Sequence, residues 1–448
     1  MSKTMIRTLI KNAKIVNENI IIESDLLIVR NKIEQISTHI SPQENDQVID
    51  ASGLYLLPGM IDDQVHFREP GMPHKGRFVT ESAAAVAGGI TSVMDMPNTS
   101  PLTITQQAII DKHKLIEGHS HCNYGFYLGA TNDNIEDIKT IDTSLICGIK
   151  VFMGASTGNM LVDNEETLDQ IFKHAKTLVA THCEYSPMID INESNAKEKY
   201  GEDVPLSLHP LIRSREACIK STETAIKLAT KHNAKLHVLH ISTAEEVELF
   251  EKLPLEQKRI TAEACVHFAW FDDRDYEKLA ALIKCNPAIK QYSDKMAIID
   301  GINFGNLDII ATDHAPHTWE EKQNKYFGVP SGLPLVQTAL PSLLTLVNQN
   351  KFSIEKVVQK TAHNVADLFK VKKRGYIREG YYADLILVNM NKINKVYNED
   401  MLYQCGWTPY EGIEFSAYIE KTWVNGELKW SENQLLGDAN GISLDYNS

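Results

Sequence analysis

Little in this sequence ties it to an oxidising compartment, a membrane or nucleic acid. Its seven cysteines (Cys122, Cys147, Cys183, Cys218, Cys265, Cys285 and Cys405) are dispersed, with no CxxC spacing. That excludes a disulfide framework and a thiolate metal ribbon, and fits reduced, buried thiols in a cytoplasmic protein. No apolar run approaches transmembrane length, and the opening MSKTMIRTLIKNAKIVNEN lacks the apolar core of a signal peptide. Positive charge is in deficit: 45 Lys and Arg stand against 59 Asp and Glu, a formal net charge of -14. Nucleic acid and anionic membranes are therefore excluded as main partners. An anionic small molecule is not, because a few Arg and His residues suffice to make a positive pocket. Internal repeats and low-complexity tracts are also missing.

What remains is an ordinary globular composition, 43% hydrophobic and 23% charged, over 448 residues. That is enough for one large domain and a smaller one. Within residues 7–57, TLIKNAKIV, NIIIESDLLIV, KIEQIS and QVIDASGLYLL read as short strands, with Asn17, Asn19, Asn31 and Lys32 in turn positions. From residue 58 the pattern becomes apolar strand, loop and amphipathic helix, repeated. Candidate strands cover 60–67, 90–96, 123–130, 147–153, 177–183, 235–241, 259–265 and 307–313, with helical segments such as TLDQIFKHAKT and REACIKSTETAIKLATKH between them. Eight such units predict an α/β fold, a (β/α)8 TIM barrel. After a helix near 353–369, strands return in GYIREGYYADLILVNM and SAYIEKTWVNGELKW. The two β-rich ends predict one small β-sandwich built jointly by the N- and C-terminal segments. The expected boundaries are 1–57, 58–370 for the barrel, and 371–448 for the second part of the sandwich with a C-terminal tail.

In barrels of this kind the active site gathers at the C-terminal ends of the strands. His66 ends the first candidate strand, Lys150 lies in the fourth, His182 ends the fifth, His240 the sixth and Asp313 the eighth. A single histidine at a strand end is more often structural. Three imidazoles and a carboxylate at four strand ends together point to a metal centre. His119-Ser120-His121 is the contrasting case: a formally better His-x-His, placed just before the third strand and so at the opposite end of the barrel, where it reads as a solvated loop. Lys150 suits a metal centre only as a carbamate, formed when a neutral amine in a dry pocket takes up carbon dioxide and gains two oxygens and negative charge. From GIKVFMG alone, a lysine stem packed against the barrel with its head in solvent is the plainer reading.

Taken in order, IDDQVHFREPG, AAAVAGGITSVMDMPNTSP, GIKVFMG, ATHCE, LHVLHIST, CNPAIK and IATDHAPH resemble the cyclic amidohydrolases, and among these the dihydroorotase family. GYIREGYYADLILV resembles the segment that completes their small sandwich. The resemblance spans nearly the whole chain and is most specific in residues 66–71, 96–99 and 313–317. It implies an enzyme that reversibly interconverts L-dihydroorotate and N-carbamoyl-L-aspartate in pyrimidine biosynthesis. Allantoinases and hydantoinases share the metal framework, so the substrate side has to choose between them. The carboxylate on the dihydroorotate ring calls for an Arg fork. By resemblance, Arg68 and Asn98 hold that carboxylate, His317 completes the grip and Asn286 contacts the ring. The plain alternatives are that Arg68 pairs with Glu69 or Glu81 and that Asn98 caps the turn after Pro97. The resemblance also implies one or two zinc ions on His66, Lys150, His182, His240 and Asp313, with Lys150 N-carboxylated. Such a metal acts as a Lewis acid and acidifies water. Asp313 is then the catalytic proton shuttle, or a ligand only. The expected partners are the small-molecule substrate, further copies of the chain in a homo-oligomer, and aspartate transcarbamoylase.

One position departs from the family pattern. Gln64 stands where the family usually has histidine, and an amide oxygen is a weaker zinc ligand than an imidazole nitrogen. Strand alternation places Asp62, Gln64 and His66 on one face and Asp63 on the other, with Asp62 one step deeper as a support. The first metal position is thus expected to be impaired, and the His182, His240 and Lys150 position complete. Two further readings stay open: a non-catalytic dihydroorotase-like partner of aspartate transcarbamoylase, and an allantoinase- or hydantoinase-type enzyme. The PHKG stretch at 73–76 favours allantoinase, and the Asn after Met96-Pro97 opposes it. The small, polar segment 154–159 reads equally as a lid over substrate or a surface loop.

Overall fold

The computed structural model describes residues 7–154 and 160–446. The N-terminal segment forms β1 (Arg7–Asn17), β2 (Ile20–Val29), β3 (Lys32–Ser37), β4 (Asp46–Asp50) and β5 (Tyr55–Pro58). Glu18 and Asn19 both take positive φ, 51° and 62°, which suits the tight hairpin joining β1 to β2. A bulge at Lys11 and Asn12 divides β1. Its first half pairs with β4 and its second half with β5, so one strand serves two parts of the sheet.

The barrel follows as β6 (Met60–Val65), β7 (Ile90–Asp95), β8 (Asn123–Gly129), β9 (Gly148–Phe152), β10 (Val179–His182), β11 (Leu236–Val238), β12 (Ile260–Cys265) and β13 (Ile309–Ala311). These eight strands pair in chain order, all in parallel. A parallel bridge between Val65 and His314, with the His66 N–H donating to His314 O at 2.8 Å, brings the first and last strands together. Their near-continuous apolar composition is what strands covered on both faces require. Each of the eight predicted strands is present. Several end earlier than predicted, because the chain leaves the ladder just where the polar residues begin.

The chain then returns through β14 (Leu385–Asn389), the short pair β15 (Asn394–Lys395) and β16 (Glu414–Phe415), β17 (Tyr418–Val424), β18 (Glu427–Ser431) and β19 (Gln434–Leu435). β14 runs antiparallel to β5, from Leu385 opposite Pro58 to Val388 opposite Tyr55. That pairing fuses both ends of the chain into a nine-stranded sheet, separate from the barrel, with Ile15, Leu56, Leu385 and Trp423 in its buried core. The last described residues run beneath the barrel: Leu444 N–H donates to Tyr124 O, and Leu444 joins Met94, Tyr127 and Phe369 in a core cluster. No helix among the described residues is long and apolar enough to cross a membrane.

Candidate metal centre and substrate pocket

The strand ends supply one pocket. Gln64 comes from β6, His66 and Arg68 from just beyond it, Asn98 from the loop after β7, and Lys150 and Phe152 from β9. His182 is the last residue of β10, His240 follows β11 by two residues and Asp313 follows β13 by two. These side chains, with Asn286, Ala315, Ser331 and Gly332, line the pocket. Arg68, His240 and Asp313 have φ of 71°, 43° and 51°. Such left-handed backbone is uncommon outside glycine and concentrates at functional sites. Here it turns the side chain into the mouth of the barrel at the point where the strand stops.

His182 Nδ1 and His240 Nε2 face each other across 2.9 Å. Behind them, His182 Nε2 lies 2.8 Å from Glu184 Oε2, and Glu184 is 3.5 Å from Arg213. Burial lowers His182 below its ordinary pKa despite Glu184, and burial with the neighbouring His182 and Lys150 lowers His240 further. Both rings are therefore neutral at physiological pH. In His182 the Nε2–H donates to Glu184, which leaves the Nδ1 lone pair turned toward His240 Nε2. Lys150 is buried, with Nζ 4.6 Å from the centroid of the Phe152 ring, and burial pushes its pKa down to about 8. Its head does not reach open solvent, contrary to the plainer sequence reading, and a neutral amine is accessible there.

The other half of the cluster differs. His66 Nδ1 lies 2.8 Å from Asn98 Oδ1, and its Nε2 lies 3.2 Å from Asp313 Oδ1. The Gln64 amide donates to that same oxygen at 3.1 Å. Burial raises the pKa of Asp313, but His66, His267 and Lys150 more than offset it and hold the carboxylate ionised. Two neutral imidazoles beside a buried amine fit a divalent cation such as zinc. The half with one imidazole, one carboxylate and an amide N–H fits it less well.

A family model described as the amidohydrolase family matches residues 55–429. The chain belongs to the amidohydrolase family. The dihydroorotase of Methanosarcina mazei is 33% identical over 439 residues, 95% of this chain and 94% of that protein. The dihydroorotase of Methanosarcina acetivorans is 32% identical over 439 residues, covering 95% and 92%. Among solved structures, an L-hydantoinase (dihydropyrimidinase) from Arthrobacter aurescens superposes with a TM-score of 0.92 at 24% identity, covering 98% of this chain and 99% of that one. That likeness carries the fold. With the relatives, the family makes this protein a cyclic amidohydrolase.

On the substrate side of this amidohydrolase, Arg68 is buried, its Nε donating to Pro316 O at 3.1 Å. Neither glutamate considered for it takes it: Glu69 accepts the Phe78 N–H, and Glu81 pairs with His314. Asn98 spends its oxygen on His66 rather than on the turn after Pro97. Asn286 Oδ1 is buried without a hydrogen-bond partner among the described residues, as expected of a group awaiting a ligand. His317 is not among the described residues that line the pocket. It lies behind Arg68, with Nε2 3.2 Å from the guanidinium and 3.1 Å from Ser331 O, and Nδ1 3.1 Å from Lys75 Nζ. Burial and Arg68 push it down to about 3, so the neutral ring donates from Nε2 to Ser331 O and accepts from Lys75.

Some placements correct the sequence reading. Asp63 does not face away from the interior: its Oδ2 is 3.4 Å from Nε2 of His237 on β11. The cause is a register slip between β6 and β7 from Asp62 to Val65, which breaks simple alternation. Asp62 accepts from the Thr312 N–H and hydroxyl and so supports the residue before Asp313. In the His119 to His121 segment only His119 is exposed; Ser120 and His121 are buried, and Ser120 pairs with Asn440 of the returning chain. Residues 155–159 of the candidate lid lie outside the described residues.

Sequence reasoning missed Phe152, Ser331, Gly332, Glu184 and Arg213. Glu184 had a signal, since it follows His182 by two in ATHCE. Gly332 had a weaker one in the turn-like PSGLP: at φ 148° a Cβ there would lie 2.5 Å from Ala315 O, so only glycine fits.

Proposed function

We propose that this amidohydrolase is a dihydroorotase, cyclising N-carbamoyl-L-aspartate to L-dihydroorotate and reversing that reaction. The observation that carries the reading is Arg68: a buried guanidinium without an ion-pair partner among the described residues, on the wall of the same pocket as His182, His240, Lys150 and Asp313. Rings of the hydantoin and allantoin type have no carboxylate for it, whereas dihydroorotate has one. The dihydroorotase relatives support the same choice.

In this reading Arg68 and the Asn98 amide nitrogen orient the carboxylate, and Asn286 Oδ1 accepts a ring N–H. The Pro316 carbonyl holds Arg68 through its Nε–H, and His317 packs behind the guanidinium. Asp313, ionised at neutral pH, takes a proton from the attacking water and delivers it to the leaving ring nitrogen; in ring closure it returns that proton. His182 and His240, with Lys150 as a carbamate, would hold the metal firmly, and His66 with Asp313 would hold a second weakly. A bound zinc ion supplies Lewis acidity toward the amide carbonyl and acidifies water. Residues 58–370 carry this chemistry, and 1–57 with 371–448 form the accompanying sandwich. The protein would act in the cytoplasm, in pyrimidine synthesis, as a homo-oligomer able to associate with aspartate transcarbamoylase.

The Gln64 to Asp313 hydrogen bond favours a second reading, a non-catalytic partner of aspartate transcarbamoylase. Turnover of L-dihydroorotate, followed by ultraviolet absorbance on protein purified with zinc and bicarbonate, separates the two. Turnover lost with a chelator supports the enzyme. A folded, zinc-binding protein inactive in both directions overturns it in favour of the partner role or another cyclic amide.

A further inference from the structure

Three side chains that the reaction above does not use meet inside the barrel. Asp63 on β6, His237 on β11 and Glu263 on β12 are each 0% exposed. β6 is not a neighbour of β11 or β12 in the barrel order, so the three reach toward one another across its interior. His237 Nε2 stands 3.4 Å from Asp63 Oδ2 and 3.7 Å from Glu263 Oε2, and one donor atom from each residue lies within 4.8 Å of the others.

Their remaining atoms define what faces the centre. Thr261 Oγ1 donates to Leu236 O at 3.1 Å, so toward His237 Nδ1, 2.8 Å away, it acts as the acceptor. His237 therefore carries a proton on Nδ1 and turns Nε2 toward two carboxylates. Glu263 Oε1 accepts the His240 N–H at 3.0 Å, leaving Oε2 for the centre. Both oxygens of Asp63, Nε2 of His237 and Oε2 of Glu263 have no hydrogen-bond partner among the described residues.

Carboxylates fully withdrawn from water without a partner are strongly unfavourable, so positive charge belongs between these atoms, either as protons, which burial with Asp63 favours on Glu263 and the two carboxylates favour on His237, or as a cation. A second proton on His237 would draw the oxygens in to about 2.7–2.9 Å, the usual length of a charge-assisted N–H···O bond. The spacings are longer than that. Around a tetrahedral zinc ion with N and O ligands at roughly 2.0–2.2 Å, neighbouring donors stand about 3.4 Å apart.

We propose that Asp63, His237 and Glu263 hold a divalent metal ion, of the zinc type by its donor set, inside the barrel and separate from the centre at His182 and His240. The ion would tie β6 to β11 and β12 across the core. Through Glu263 it would also hold the His240 amide, where the backbone turns at φ 43°. It would thus be a positioning device beneath the pocket, and its presence does not depend on which cyclic amide is the substrate.

The direct test is anomalous diffraction across the zinc absorption edge, from crystals of the unsubstituted protein grown with zinc. A peak within about 2.2 Å of His237 Nε2 is expected, distinct from any peak at His182 and His240. Absence of the inner peak overturns the proposal, whatever the pocket holds. Independently, Asp63→Asn should lower zinc per chain by one, measured by elemental mass spectrometry; an unchanged count also overturns it. If that variant does not fold, the map of the unsubstituted protein decides alone.

Discussion

The side-chain amide of Gln64 donates to Asp313 Oδ1 at 3.1 Å, the same oxygen that lies 3.2 Å from His66 Nε2. A donor N–H thus sits where an imidazole lone pair would serve a metal, and it ties up an oxygen that the metal would need. Replacing Gln64 with His restores a neutral nitrogen ligand and frees that oxygen. Gln64→His is expected to bind one more zinc per chain than the unsubstituted protein and to turn over dihydroorotate faster. Elemental analysis and steady-state rates check this together. If neither quantity moves, the amide does not limit the site.

Arg68 offers the sharpest test of substrate class. A hydrogen bond to a charged partner contributes about 1.5–3 kcal/mol. Arg68→Lys keeps the charge but loses the planar fork. It should lower kcat/KM for dihydroorotate roughly 10- to 100-fold. A six-membered ring lacking the carboxylate, such as dihydrouracil, should lose much less. An equal loss on both rings would show that Arg68 shapes the pocket without reading a carboxylate.

How far the sequence carried this picture depends on which physics set each position. The barrel was legible because its strands are apolar on both faces and separated by amphipathic helices, a signal local to each segment. The pairing of β14 with β5 was legible only as a composition shift at the two ends, since nothing local says which strands meet. The pocket residues were legible one by one as polar groups at strand ends. Asp63 was misplaced because alternation assumes a regular ladder, and β6 slips register there. His121 was misread because its cover comes from the chain near Asn440, more than three hundred residues later, and such contacts leave no mark in the local sequence. The wall at Ser331 and Gly332 has the same difficulty: it reaches the pocket through a loop held by distant carbonyl contacts.

Glu184 sets the tautomer of His182, so its removal should weaken the metal without touching it. Glu184 is held down to about 2: burial raises it, and Arg213 and His182 more than offset that. Glu184→Gln removes the charge and can present an N–H where an acceptor is needed. A 10- to 100-fold loss of zinc affinity is expected, of the order seen when such supporting carboxylates are changed. Competition with a chromophoric chelator measures it. Unaltered affinity would place the tautomer under the control of His240 instead.

Lys322 gives a prediction whose sign in pH is unusual for a lysine. It is fully buried, and its Nζ donates to Pro330 O at 3.0 Å, Gly332 O at 3.1 Å and Lys284 O at 3.4 Å, bracketing Ser331 on the pocket wall. Burial, aided by Lys284 and against weaker opposing charges, lowers its pKa from 10.5 to about 7. Above about 7 the folded protein releases this proton while the unfolded chain keeps it up to about 10.5. The unfolded state then binds more protons, so stability from this group rises with pH across that window. The stability difference between the unsubstituted protein and Lys322→Met, measured by denaturant unfolding, should therefore grow from pH 7 to pH 10 and be flat below pH 6. Losing the three carbonyl bonds should also loosen the pocket wall at Ser331, raising KM several-fold with a smaller change in kcat. A pH-independent difference would mean that Lys322 keeps its charge in the folded protein and that the carbonyls alone stabilise it there.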